Sequence, residues 1–319
     1  MATQAETDSD EIKRGHHETE VCYAGEADLD KHEAKCEKHP GHEEFIPAGE
    51  FKYENLPERY RDPTVLNIVK SLAALTVKVK VTYVSTERPK RASFYTGDYP
   101  FYQERGTSLI RYGTGRIEDV YFNFGPTVKM KHPESCPCEL CIQNGEPLKE
   151  CGVIIVVTSM QLVFDGEEAT NTQVFLEWED NTTLTFVGSY MNSRRKDGDR
   201  VEMACVTYDL EFAKKLKDMT RAFFQDHRSI KMKYHRNNLA REENVVFIVS
   251  FPHGKSKKVS IGYVIKEISW KYTVRYTKYS YTAPTCPGSS GAPVFVMGYN
   301  GCYVHTHAGR NKVENFSGE

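Results

Sequence analysis

The sequence has no apolar run approaching the roughly 20 residues a bilayer-spanning helix needs, so no membrane-spanning segment is expected. It also lacks an excess of either charge. Its 42 Lys and Arg stand against 44 Asp and Glu, a net −2, and such a balance gives no reason to expect nucleic acid as a partner. The opening MATQAETDSD has neither the basic n-region nor the apolar h-region of a secretion signal, and a cytoplasmic protein is the expectation. Nine cysteines, an odd number, then read as reduced thiols or metal ligands rather than a disulfide framework. What is present is a 319-residue chain, 39% apolar, which is enough for one globular domain with ample core and a front extension.

Residues 1–60 are charged and polar, with few aliphatics before Phe45 and Ile46. So little apolar surface does not offset the entropy of ordering, and a disordered front is expected over 1–60. Cys22, His32, Cys36, His39 and His42 lie there without a zinc-finger spacing and read as parts of a solvated tail. Asp62-Pro63 is a helix start, with Asp as cap and Pro in the first turn, and the helix runs to about Ala74. Val77, Val79 and Val81 then alternate with Lys78, Lys80 and Thr82, the period of a strand with one buried face. Segments 172–178 and 182–187 alternate as a hairpin. Residues 210–241 read as a helical insertion, with Leu216, Met219, Phe223 and Phe224 recurring near 3.6 residues. Its basic positions form a solvated face. The cluster His132, Cys136, Cys138 and Cys141 follows the spacing H-x3-C-x-C-x2-C, and its thiolates and imidazole suit a closed, structural tetrahedral zinc site. The competing reading is a loop with free thiols. No other cofactor is required.

The stretch that organises the chain is Tyr281–Phe295, with G-S-S-G-A-P at its centre. Gly288 and Gly291 permit positive φ, and a serine in such a turn can present its hydroxyl while nearby amides converge on one point. The loop resembles the nucleophile loop of trypsin-like serine peptidases, and is most similar to their glutamyl-endopeptidase branch, where Ser rather than Asp precedes the nucleophile. The resemblance spans about residues 75–310. It implies an all-β fold of two packed antiparallel six-stranded barrels, the domain covering 61–319. The first barrel would span about 75–209, the helical insertion 210–241, and the second barrel about 244–310. It nominates Ser290 as nucleophile, Gly288 and Ser290 as amide donors of the oxyanion hole, and His305 as the histidine of an acid-selective pocket.

The same resemblance meets a departure at Cys151–Asp165, where a buried apolar strand should lead to the general-base histidine. Thr158 matches the family's threonine, and Gln161 falls where the histidine belongs. Glutamine has no titratable nitrogen, so it can neither take the serine proton nor return one to a leaving amine. Asp209, at the end of a strand, matches the triad aspartate, although an Asp there can equally cap the helix that follows. Two readings result. One is a catalytically impaired pseudo-peptidase that binds peptide or protein partners. The other is an active serine endopeptidase preferring acidic residues.

Overall fold

The computed structural model describes residues 16–92, 97–122, 141, 150–177, 182–195, 199–234, 244–269, 277–298, 304–311 and 314–318. The front of the chain supplies β1 (Glu20–Cys22), α1 (Asp28–Ala34) and β2 (Ile46–Pro47). Next come α2 (Pro63–Leu75), β3 (Thr76–Val81), β4 (Ile110–Phe122), β5 (Gly152–Ser159) and α3 (Gly166–Thr170). Then follow β6 (Thr172–Glu177), β7 (Thr183–Arg195), β8 (Arg200–Thr207) and α4 (Leu210–Lys233). The chain ends with β9 (Val245–Ser250), β10 (Lys258–Ser269), β11 (Thr277–Tyr281), β12 (Pro293–Val296), β13 (His305–Arg310) and β14 (Asn315–Gly318).

Local chemistry accounts for these elements. The Asp62 carboxylate caps α2 by accepting from the Thr64 amide, and Pro63 fills the first helical position, where no amide is needed. In β3 the three valines turn inward, as their alternation requires. Strand β5 is apolar from Val153 to Val157 because both faces are covered. Ile154 and Val156 enter the main core, while Val153 and Ile155 pack with Ala204 on the other side. Helix α4 buries Ala213, Leu216, Phe223 and Ile230.

Strands β4, β3, β6, β7, β8 and β5 follow one another, and β5 pairs back onto β4. Strands β11, β14, β13, β12, β9 and β10 do the same, with β10 closing onto β11. Every pairing is antiparallel, so the fold is a trypsin-like pair of closed six-stranded barrels. Among the described residues no helix is long and apolar enough to cross a membrane.

The front departs from expectation over residues 16–60. Strand β1 pairs with Ile110–Tyr112, the part of β4 that β5 leaves open, and β2 pairs with Lys258–Val259 of β10. Phe51, Leu56 and Tyr60 enter the main core. A composition argument averages over the whole segment, whereas a few buried anchors and two borrowed sheet edges suffice to order most of it. Residues 1–15 lie outside the described residues.

A buried ion network underlies the turn after β5. The Glu168 carboxylate accepts from Arg88 Nε at 2.6 Å, Arg88 Nη2 at 2.7 Å and Arg111 Nη2 at 3.1 Å, and all three side chains are fully buried. Arg88 also donates to the carbonyl of Gln161 at 3.1 Å. Removing one member of such a set leaves charges without partners, which costs about 3–5 kcal/mol. Glu168→Ala is therefore expected to lower the chemical-denaturation stability by about that amount. A loss under about 1 kcal/mol would show the network to be dispensable.

Candidate functional site

The Ser290 loop is pinned by the first barrel. The Thr114 amide donates to the Ser290 carbonyl at 2.9 Å, and the Thr114 hydroxyl donates to the Gly288 carbonyl at 2.8 Å. That hydroxyl also accepts from the Phe251 amide at 3.0 Å, and Thr158 donates to the Thr114 carbonyl at 2.7 Å. Close approach explains the glycine before Thr114, since a Cβ on Gly113 would sit 2.8 Å from the Ser290 carbonyl oxygen. Gly288 has φ of +95°, and a Cβ there would lie 2.3 Å from the Phe251 carbonyl oxygen.

The amides of this loop converge on one acceptor from the chain's own front. Gly288 N donates to the Glu18 carbonyl at 2.7 Å and Ser290 N donates to the same oxygen at 3.1 Å. The Ser290 hydroxyl accepts from the Glu18 amide at 3.0 Å. Upstream, His16 forms an antiparallel bridge with Arg310, whose amide donates to the His16 carbonyl at 2.9 Å. Downstream the chain becomes β1 on β4. Residues 16–22 thus run across the junction of the barrels, with the Glu18 carbonyl between the two amides expected to form an oxyanion hole.

The Glu18 side chain is buried with three partners. His307 Nε2 lies 2.8 Å from Oε2, while Lys38 Nζ at 2.6 Å and Arg310 Nε at 3.2 Å approach Oε1. Burial works against the charged carboxylate, but the His307 hydrogen bond and the Lys38 ammonium outweigh it and hold its pKa down at about 2. Burial also lowers the His307 pKa, which favours the neutral ring. In that form Nε2–H donates to Glu18, and Nδ1, 2.7 Å from the Tyr281 hydroxyl, accepts from it. Lys38 is further held by Thr285 Oγ1 at 3.0 Å and Asn315 Oδ1 at 3.3 Å.

Two residues nominated from the sequence lie elsewhere. Asp209 is exposed and caps α4, accepting from the Phe212 amide at 2.9 Å. Strands β5 and β8 are antiparallel, with Ser159 opposite Arg200, so the start of β8 meets the turn carrying Gln161. Asp209 follows the other end of β8, about 30 Å away at the usual strand rise. The carboxylate beside Gln161 is Asp199, whose Oδ2 accepts from Gln161 Nε2 at 3.0 Å; the same nitrogen donates to the Ala308 carbonyl. His305 also lies deeper than expected. Its Nδ1 is 3.1 Å from Ser317 Oγ, its ring packs on Tyr279, and burial pushes its pKa down to about 3. Register separates the two histidines. His305 is opposite Val294, whereas His307 exchanges backbone hydrogen bonds with Ala292 and Gly291, next to Ser290.

Sequence reasoning missed Glu18, Lys38, Asp199, His307 and Arg310. The antiparallel order of β5 and β8 would have pointed to Asp199. Glu18 and Lys38 have no local signature, because apart from each other their partners lie far along the chain. Of the proposed zinc ligands, His132, Cys136 and Cys138 lie outside the described residues, and Cys141 Sγ is 2.7 Å from the Tyr208 hydroxyl.

No protein-family model matches the chain, and no curated protein matches it. Similar solved structures include Deg5, with a TM-score of 0.43 and 11% identity over 82% of this chain and 90% of that one. The active form of the Rv3671c protease from M. tuberculosis has a TM-score of 0.40 and 13% identity, over 81% of this chain and 82% of that one. The HtrA-type protease AlgW with a decapeptide has a TM-score of 0.41 and 12% identity, over 79% of this chain and 62% of that one. The double barrel itself rests on the strand pairing of this chain.

Proposed function

We propose that this chain is a peptidase-fold binding protein without hydrolytic turnover, and that its cleft recognises a glutamate side chain within an extended peptide. The observation that carries the reading is Gln161, whose amide donates to Asp199 and to the Ala308 carbonyl. On this reading Gln161 stands where a general base would act, and an amide cannot accept the Ser290 proton. The peptide-binding half of the proposal is supported by Glu18. Its carbonyl meets two amides, its carboxylate meets a neutral imidazole and two cations, and its neighbour His16 pairs with the edge of β13. In this state the chain's own front is the ligand. An active endopeptidase with the same acidic preference is the second reading, and the glutamate pocket supports it equally.

Labelling with a fluorophosphonate probe separates the two. Because the front fills the cleft, Glu18→Arg serves to displace it by setting like charges beside Lys38 and Arg310. With Gln161 intact, neither the unaltered chain nor Glu18→Arg is expected to label at Ser290. Adding Gln161→His to Glu18→Arg should raise labelling by about 10²–10⁴-fold, the contribution of a positioned base, and Ser290→Ala should then abolish it. Strong labelling at Ser290 with Gln161 in place would overturn the binding-protein reading in favour of the enzyme.

Docking of the front should depend on pH. The Glu18 pKa is lowered from 4.5 to about 2, so its contribution is complete above the ordinary carboxylate range and disappears as pH falls through about 2. That shift corresponds to about 3 kcal/mol, or about 300-fold in the docking equilibrium. Amide-exchange protection at residue 18, corrected for intrinsic rates, should fall by that order between the two pKa values. In Glu18→Gln the slope over this range should vanish. Equal slopes in both proteins would show that another group drives the change.

A further inference from the structure

Four donors from three separate segments meet beside the Ser290 loop. Cys36 follows α1, and His42 closes the turn Pro40–His42 in the same front segment. His253 lies in the turn between β9 and β10, and Cys286 lies four residues before Ser290. One ligand atom from each falls within 4.8 Å of all the others. The two sulfurs are 3.6 Å apart. Two thiolates at about 2.3 Å from one tetrahedral zinc ion would stand about 3.8 Å apart. The imidazoles meet edge to face, their centroids 5.2 Å apart at 82°.

The imidazoles are what separate this cluster from a chance pair of thiols. His253 is 3% exposed, and its Nε2 has no hydrogen-bond partner outside the cluster, where the Cys36 thiol interacts with the ring. The Nε2 of His42 is buried and unpartnered. A buried polar nitrogen without a partner is costly, and a metal ion would satisfy both. The other ring nitrogen of His253, Nδ1, lies 2.7 Å from Glu20 Oε2. A carboxylate on the far side of an imidazole is the outer-shell arrangement that orients a ligating histidine and raises its basicity. Both histidines also hold φ of +52°, a region ordinary residues seldom enter.

We propose that Cys36, His42, His253 and Cys286 bind one zinc ion in a closed Cys2His2 site that staples the front segment to the Ser290 loop. Thiolate and imidazole donors with four protein ligands favour zinc over harder cations and leave no position for substrate. Binding releases the two thiol protons, so affinity should rise with pH. The stapled segment carries Lys38, and Glu20 leads back to Glu18, so the ion would hold in place both the ligand in the cleft and one of its counter-charges. The site stands on its own geometry whether or not Ser290 retains chemistry.

Full-length protein purified without chelator should contain zinc, and one equivalent should be lost in His42→Ala, His253→Ala or Cys286→Ser. That equivalent should persist in the double variant Cys136→Ser with Cys138→Ser, which removes donors of the other candidate cluster. Glu20→Gln should weaken zinc binding about 10–100-fold, as expected for an outer-shell partner. Cobalt titration of the metal-depleted Cys136→Ser, Cys138→Ser protein needs no altered ligand. It should give the absorption of a tetrahedral ion with thiolate charge transfer. Chelation should at the same time increase hydrogen exchange over residues 16–47. The proposal is overturned if no zinc is present, if the zinc content is unchanged in both His42→Ala and His253→Ala, if bound cobalt is octahedral without thiolate bands, or if Cys36 and Cys286 are isolated as a disulfide from protein kept under reductant.

Discussion

A carboxylate buried to 1% exposure must meet fixed donors or give up its charge, and Glu18 meets them from two directions. His307 and Arg310 lie on β13, while Lys38 belongs to the same front segment as Glu18. The pairing therefore fastens the front to the second barrel, and much of its main-chain geometry follows. With the side chain held in the pocket, the Glu18 carbonyl falls between the Gly288 and Ser290 amides, and the chain continues as β1 onto the first barrel. The segment bridges the two barrels because the buried charge holds it on β13 of the second while β1 pairs with β4 of the first.

The loop that receives Glu18 is held from the other side. Thr114 donates to the carbonyls of Ser290 and Gly288, and Thr158 holds Thr114 in turn. These bonds come from strands β4 and β5, in the core of the first barrel, and none of them involves the front segment. The two converging amides are thus oriented by the scaffold rather than by what they bind, which is the condition for preorganised recognition of a carbonyl. A Cβ at Gly113 would intrude on this junction, so the G-T-G sequence serves the loop of the second barrel as much as the first.

What could be read from the sequence was whatever is encoded locally. The cap and proline of α2, the alternation in β3, the apolar run of β5 and the small residues around Ser290 each carry their own period or turn chemistry. Choices that depend on register could not be read in that way. Asp199 and Asp209 flank the same strand, and only its antiparallel pairing with β5 decides which is near Gln161. His305 and His307 share a face by period, and only pairing with the Ser290 loop separates them. The front was harder still, since Lys38 and Glu18 acquire their meaning from residues 277 and 289 positions away. Cys36 and His42 are likewise half of a donor set whose other half is His253 and Cys286, so no spacing along the chain reveals it.

On the proposed reading, Gln161 is the point at which recognition and turnover come apart in this scaffold. Its side-chain nitrogen faces a carboxylate and a carbonyl, both of which only accept, so the orientation of the amide is fixed by chemistry. One amide nitrogen supplies a proton to each. A neutral imidazole carries a single N–H and could serve Asp199 only by giving up the second bond. Asp199 is fully buried, and the amide gives its Oδ2 a permanent neutral donor without introducing another titrating group. Gln161 touches this recognition surface at one point, the Ala308 carbonyl of β13, and its amide supplies there a hydrogen bond but no proton for transfer. On the proposed reading, replacing a base by an amide removes proton transfer from this turn and leaves every contact that recognises a glutamate peptide intact.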